Sequence, residues 1–136
     1  MKILFVCEGN INRSQMASTL FKALVPEAEV LSAGVYADHP GEFLSAVSEG
    51  SIAAMKELGF DMSSNIITQL TREMVEAADK VILVGSVPGG SIPEYLKNSV
   101  KLETWDVPDP GYGQISIEAA RDMILKDVKQ LAEKLK

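Results

Sequence analysis

An unbroken apolar run, Ile3-Leu4-Phe5-Val6, leads directly into Cys7-Glu8-Gly9-Asn10-Ile11-Asn12-Arg13-Ser14. Beyond Ser14, apolar residues recur at Met16, Leu20 and Leu24. Apolar residues without alternation suit a strand covered on both faces, as in a parallel sheet. The i, i+4, i+8 recurrence is that of an amphipathic helix, which Pro26 ends. A strand that opens through a tight loop into a helix sends that helix back across its own sheet. This one stretch therefore selects the α/β class.

The rest of the chain repeats the pattern. Residues 30–33 read as a second strand stopped by Gly34, residues 80–84 as a third, and residues 99–103 as a weaker fourth. Residues 43–58 read as a helix that carries Gly50, with Gly59 where a C-cap glycine belongs. Thr71 caps a short helix, and residues 92–96 form a helical turn. Ile117, Ala120, Ile124, Val128, Leu131 and Leu135 mark a long C-terminal helix. Residues 35–42, 63–70, 85–90 and 105–113 read as irregular. Strands alternating with helices predict one three-layer α/β domain over residues 1–136. Its sheet is four-stranded and parallel, in the order 2-1-3-4, with helices on both faces. Strand 1 then lies at the reversal point, where ligands bind beyond the carboxyl ends of the strands. The Cys7 loop leaves from that end.

The loop itself is built to hold a tetrahedral oxyanion against a nucleophile. Its backbone N–H groups, with the following helix N-terminus, form a positive cradle. Five residues between Cys7 and Arg13 are enough chain to wrap an anion once, so Glu8, Gly9, Asn10, Ile11, Asn12, Arg13 and Ser14 are the expected substrate-binding residues. Gly9 is expected to take a conformation that a Cβ would resist. Asn10 tolerates the left-handed region and can bond the loop backbone. Arg13, at the helix start, can turn its planar fork back over the loop and grip two oxygens at once. A helix N-terminus and an adjacent cation also favour the thiolate of Cys7, to which the Ser14 hydroxyl can donate.

Composition removes several other readings. Charged residues make up 24% of the chain and the formal net charge is −6, which disfavours nucleic acid and anionic membranes as partners. The single cysteine permits neither an intramolecular disulfide nor an all-cysteine metal site. No stretch approaches the roughly 20 apolar residues of a membrane span. A cytoplasmic protein in a reducing compartment is expected.

Cys-(five residues)-Arg-Ser this close to the N-terminus resembles the low-molecular-weight protein tyrosine phosphatases and the arsenate reductases that share their fold. The likeness extends to Ser32-Ala33-Gly34 after the second strand and to Asp109-Pro110 in the late loop, and so covers essentially the whole chain. It implies Cys7 as nucleophile, Arg13 as phosphate clamp, and Asn10, Ser14 and Ser32 as a network bracing the loop. Phosphoryl transfer to a thiolate also needs a proton for the leaving oxygen, which a carboxylic acid on a separate loop can supply. On chemistry alone Asp106 and Asp109 are equally eligible, and the resemblance selects Asp109 as general acid. Glu8, beside the nucleophile, is expected to point outward, and His39 to be a solvated loop residue.

The chain departs from the family at two places. Gly111-Tyr112-Gly113 stands where related phosphatases carry aromatic residues directly after Asp-Pro. Asn12 stands where many of them carry a second cysteine that shields the nucleophile from overoxidation. The expected activity is hydrolysis of a phosphate monoester, as a protein tyrosine phosphatase, through a phosphocysteine on Cys7. Its partners would be the phosphate or arsenate oxyanion and a phosphotyrosine protein or small aryl phosphate. The alternative is a single-cysteine arsenate reductase resolved by an external low-molecular-weight thiol, which the run Arg13-Ser14-Gln15-Met16-Ala17 resembles. A binding module without catalysis would need no nucleophile. No metal or other cofactor is expected, because loop dipoles and Arg13 supply the positive potential.

Overall fold

The computed structural model describes residues 1–135. Four strands form one parallel sheet in the order β2-β1-β3-β4, as the alternation of elements predicts. They are β1 (Lys2–Cys7), β2 (Glu29–Gly34), β3 (Lys80–Val84) and β4 (Leu102–Trp105). The helices are α1 (Arg13–Leu24), α2 (Glu49–Lys56), α3 (Arg72–Ala77), α4 (Glu94–Lys97) and α5 (Ile117–Lys134). In the β1–β2 register Cys7 pairs with Gly34, so the second strand ends level with the start of the Cys7 loop.

Two apolar layers follow from the period of the strands. Ile3, Phe5, Ile82, Val84 and Trp105 face α1, α2 and α5, where they meet Met16, Phe21, Met55, Ile124 and Val128. Phe5 lies between Phe21 and Trp105, with ring centroids 5.8 Å apart in each pair. Such pairs contribute about 0.5–1.5 kcal/mol beyond the area they bury. Leu4, Val6, Val81 and Leu83 face the other way, onto Val75 of α3 and Leu96 of α4. β1 is therefore sealed on both faces. Its last residue, Cys7, is carried to a fixed point at the carboxyl end of the sheet.

Three boundaries differ from the sequence reading. Residues 43–58 are not one helix. A 3-10 turn (Leu44–Ala46) comes first, and α2 begins only after Ser48, whose side chain accepts from the Ser51 N–H. Phe43 is drawn off into a bridge with Ile66, which stops helix from forming there. β4 lies later than residues 99–103, because pairing with Val81–Val84 selects Leu102–Trp105. The late loop also contains a 3-10 turn (Pro110–Tyr112). Gly59, with φ 89°, and Thr71, whose hydroxyl accepts from the Met74 N–H, cap as expected.

Candidate active site

The end of β1, the following loop and the first turn of α1 form the floor of a pocket of about 230 Å³. Cys7 is 3% exposed, and Asn10 and Ser14 are fully buried. The Asn10 N–H points at Cys7 Sγ from 3.3 Å, and Ser14 Oγ lies 3.0 Å from the same sulfur. Asn10 has φ 60°, the one left-handed non-glycine backbone among the described residues. Gly9 does not use that region, and a Cβ on it would meet only Ile11 Cγ1, at 3.7 Å. The unusual backbone thus falls one residue later than expected, on the residue whose side chain can bond locally to hold it. Its amide donates to Ser14 Oγ at 2.7 Å and accepts from Gln15 Nε2 and the Thr68 N–H at 3.0 and 2.8 Å.

Arg13 is 1% exposed and turns back over the loop from the start of α1. Its Nη1 donates to the Val107 carbonyl at 3.0 Å and its Nη2 to Asp109 Oδ2 at 3.2 Å. Two glycines make this approach possible. A Cβ on Gly85, where φ is 91°, would overlap both Val107 O and Arg13 Nη1. A Cβ on Gly34 would stand 2.7 Å from the Gly9 carbonyl carbon and 2.8 Å from Asn10 N, so β2 closes on the loop only with hydrogen there.

Asp109 lines the same pocket, its Oδ1 accepting from the Gly111 N–H at 2.8 Å. Pro108 and Pro110 stiffen its backbone on either side. Cys7, Arg13 and Asp109 thus line one pocket with Ile11, Asn12, Tyr36, Asp38 and Tyr112. Among the described residues no group of three or more His, Cys, Asp or Glu side chains is placed to hold a metal ion.

Glu8 does not point outward. It lines the pocket mouth, where its carboxylate accepts from the Gly89 N–H and, at 2.8 Å, from the Tyr112 hydroxyl. That carboxylate, hydrogen-bonded to the phenol, raises the Tyr112 pKa from its ordinary 10.0. Tyr36 reaches over the mouth to donate to the Ser91 carbonyl.

Ser32 does not brace the loop. It pairs with Phe5, two residues short of the Cys7–Gly34 level, and its hydroxyl makes no hydrogen bond to the loop among the described residues. Gln15, Thr68 and Ser51 do that work instead, Ser51 by donating to the Ile11 carbonyl at 2.9 Å and to Asn12 Oδ1. Asp106 lines a separate depression beside α5 together with Trp105, which is otherwise packed into the core, and neither lines the Cys7 pocket. His39 is exposed and pairs with Glu42 at 2.9 Å, as a solvated residue would. Sequence reading missed Gln15, Thr68 and Ser51. Only a polar residue one step past Arg-Ser, where an amphipathic helix turns inward, could have signalled Gln15.

Comparison with known proteins agrees with this geometry. The family described as low molecular weight phosphotyrosine protein phosphatase matches residues 2–136. The protein-arginine-phosphatase of Geobacillus stearothermophilus is 35% identical over 149 residues, covering 98% of this chain and 95% of that protein. Arsenate reductase 1 of Staphylococcus haemolyticus (strain JCSC1435) is 32% identical over 135 residues, covering 98% of this chain and 96% of the relative. Among solved structures, the YwlE arginine phosphatase, in a mutant with a phosphorylated active-site serine, superposes with a TM-score of 0.81 at 28% identity. That match covers 99% of this chain and 95% of the other. The chain belongs to the low molecular weight phosphotyrosine protein phosphatase family, whose members are cysteine-dependent enzymes.

Proposed function

We propose that the chain hydrolyses phosphate monoesters, as a protein tyrosine phosphatase or on small aryl phosphates, through a phosphocysteine on Cys7. The observation that carries this reading is the position of Asp109. A carboxyl group in contact with the clamp, lining the same pocket as Cys7, suits protonation of a leaving oxygen. The incoming dianion takes the Arg13 fork and releases Asp109 from Nη2, and the freed carboxylate takes up a proton from solvent. The Cys7 thiolate attacks phosphorus, the S–P bond forms, and the P–O bond to the aryl group breaks as Asp109 gives its proton to that oxygen. Asp109 then removes a proton from water, whose oxygen displaces the sulfur and frees inorganic phosphate. Loop N–H groups and Arg13 hold the equatorial oxygens throughout.

Ile11, Tyr36 and Tyr112 along the walls suit a flat aryl group. A cytoplasmic setting keeps the lone thiol reduced. One observation favours a second reading. Arsenate has the shape of phosphate, and the relatives include arsenate reductases, so the same loop also suits arsenate attack by Cys7 with an external thiol completing the reduction.

Steady-state assays on p-nitrophenyl phosphate, a phosphotyrosine peptide, a phosphoarginine peptide, and arsenate with a small thiol separate these readings. The expected result is turnover of the two aryl phosphates, abolished in Cys7→Ser. Arsenate reduction with no aryl phosphate turnover would sink the phosphatase reading.

A further inference from the structure

The hydrogen bonds beneath the loop form a chain with a single polarity. Asn65 Nδ2 donates to Gln15 Oε1 at 3.1 Å, and Gln15 Nε2 donates to Asn10 Oδ1 at 3.0 Å. Asn10 Nδ2 donates to Ser14 Oγ at 2.7 Å, and Ser14 Oγ lies 3.0 Å from Cys7 Sγ. Gln15 is 2% exposed and Asn10 and Ser14 not at all, so water does not compete from Gln15 inward, while Asn65 at the outer end is partly exposed.

An amide side chain is nearly symmetric and can be turned over, so its polarity needs an external reference. The backbone of residues 66 and 68 supplies one. The Thr68 N–H donates to Asn10 Oδ1 at 2.8 Å, a bond that an amide nitrogen cannot accept. The Ile66 carbonyl accepts from Gln15 Nε2 at 3.2 Å, a bond that an amide oxygen cannot donate. With both amides pinned, Asn10 has only N–H to offer Ser14. The Ser14 oxygen serves as acceptor, and its proton is left for the sulfur. A turned-over Asn10 would present its oxygen to Ser14 and draw that proton away from Cys7.

We propose that Gln15 and Asn65, together with the backbone of residues 66 and 68, are positioning groups that fix Ser14 as a hydrogen-bond donor to the Cys7 thiolate. A donor aimed at an ionised sulfur is worth more than one between neutral groups, and buried chains of aligned bonds polarise one another. The residues that make Cys7 reactive therefore extend about 50 positions beyond the loop, into a segment that touches no substrate. The proposal takes Cys7 as the reactive thiolate of the reading above, and its test needs no phosphatase substrate.

Because the chain has one cysteine, alkylation by iodoacetamide followed by intact mass reports Cys7 alone. The alkylation rate against pH is recorded for the full chain, for Gln15→Met, which keeps the volume, for Asn65→Ala, and for the double variant. Each single variant is expected to move the profile to higher pH by about half a unit, about threefold slower alkylation below the midpoint. The double variant is expected to move it no further than Gln15→Met, because Asn65 acts through Gln15. Profiles that superimpose on wild type, shifts that simply add, or a lowered melting temperature with unchanged alkylation would each overturn the proposal. If Gln15→Met does not fold, Asn65→Ala, at a partly exposed position, decides it alone. A shifted profile in a protein that turns over no p-nitrophenyl phosphate would leave the relay standing and remove the phosphatase reading.

Discussion

The floor of the pocket and its rim are held by opposite kinds of contact. On the floor, Cys7, Asn10, Arg13, Ser14 and Gln15 are each at most 3% exposed. No buried side-chain polar atom of the described residues lacks a hydrogen-bond partner. On the rim, Tyr36 and Tyr112 are 44% and 49% exposed, and each is tied by one hydroxyl. Buried, fully partnered groups hold their geometry before substrate arrives, which is what stabilising a developing charge requires. Single exposed hydrogen bonds exchange readily with water and leave the mouth free to adapt to what enters. Under the proposed function, chemistry and substrate choice fall to parts of the same pocket with different stiffness.

This contrast predicts a steep gradient of mutational effect. The largest falls on Cys7→Ser, which should lower kcat on p-nitrophenyl phosphate by at least about 10³-fold with the fold intact by circular dichroism. Residual turnover near wild type would mean that the floor is not the reacting centre. Asp109→Asn comes next, with a loss of about 10²-fold or more on phenyl phosphate and less on p-nitrophenyl phosphate, whose leaving group needs no proton. Equal losses on both substrates would take the acid role from Asp109. Gly85→Ala tests whether the clamp depends on close backbone approach. Its positive φ and the overlap with Val107 and Arg13 should cost about 1–3 kcal/mol in a denaturant melt and weaken competitive inhibition by inorganic phosphate.

The rim should respond least. Tyr112→Phe removes one exposed hydrogen bond, and kcat/KM for an aryl phosphate is expected to stay within about threefold of wild type. The same bond has a pH signature. Hydrogen bonding to Glu8 raises the Tyr112 pKa above 10.0, so the bond favours the protonated phenol. Its contribution is complete below pH 10 and is lost as pH rises through the raised native value. Absorbance at 295 nm, compared between wild type and Tyr112→Phe, should show this phenol ionising above 10.0, and Glu8→Ala should bring it back down.

Much of this arrangement can be read from the chain before any coordinates. The apolar run before Cys7, the spacing to Arg13 and the alternation of strands with helices are local patterns, and each imposes one conformation on its own residues. Helix caps at Thr71 and Gly59 are equally local. What escaped reading depends on partners far along the chain. The helix expected over residues 43–58 was shortened by a bridge from Phe43 to Ile66, and β4 was moved along by its register with β3. Ser32 was displaced from its expected role because strand pairing sets it beside Phe5. Glu8 faces the mouth because Gly89 and Tyr112, from two other loops, meet there.

By itself, the sequence determined the sheet order, the cradle from Cys7 to Ser14 and the identity of its thiol and guanidinium. These follow from periodicity and from the conformational limits of short segments. Only the tertiary structure decided which groups complete the cradle. Arg13 meets Asp109 across 96 residues, and Asn10 meets Thr68 across 58. A buried polar atom takes whichever partner the packed fold brings within about 3 Å, and no local pattern specifies that partner.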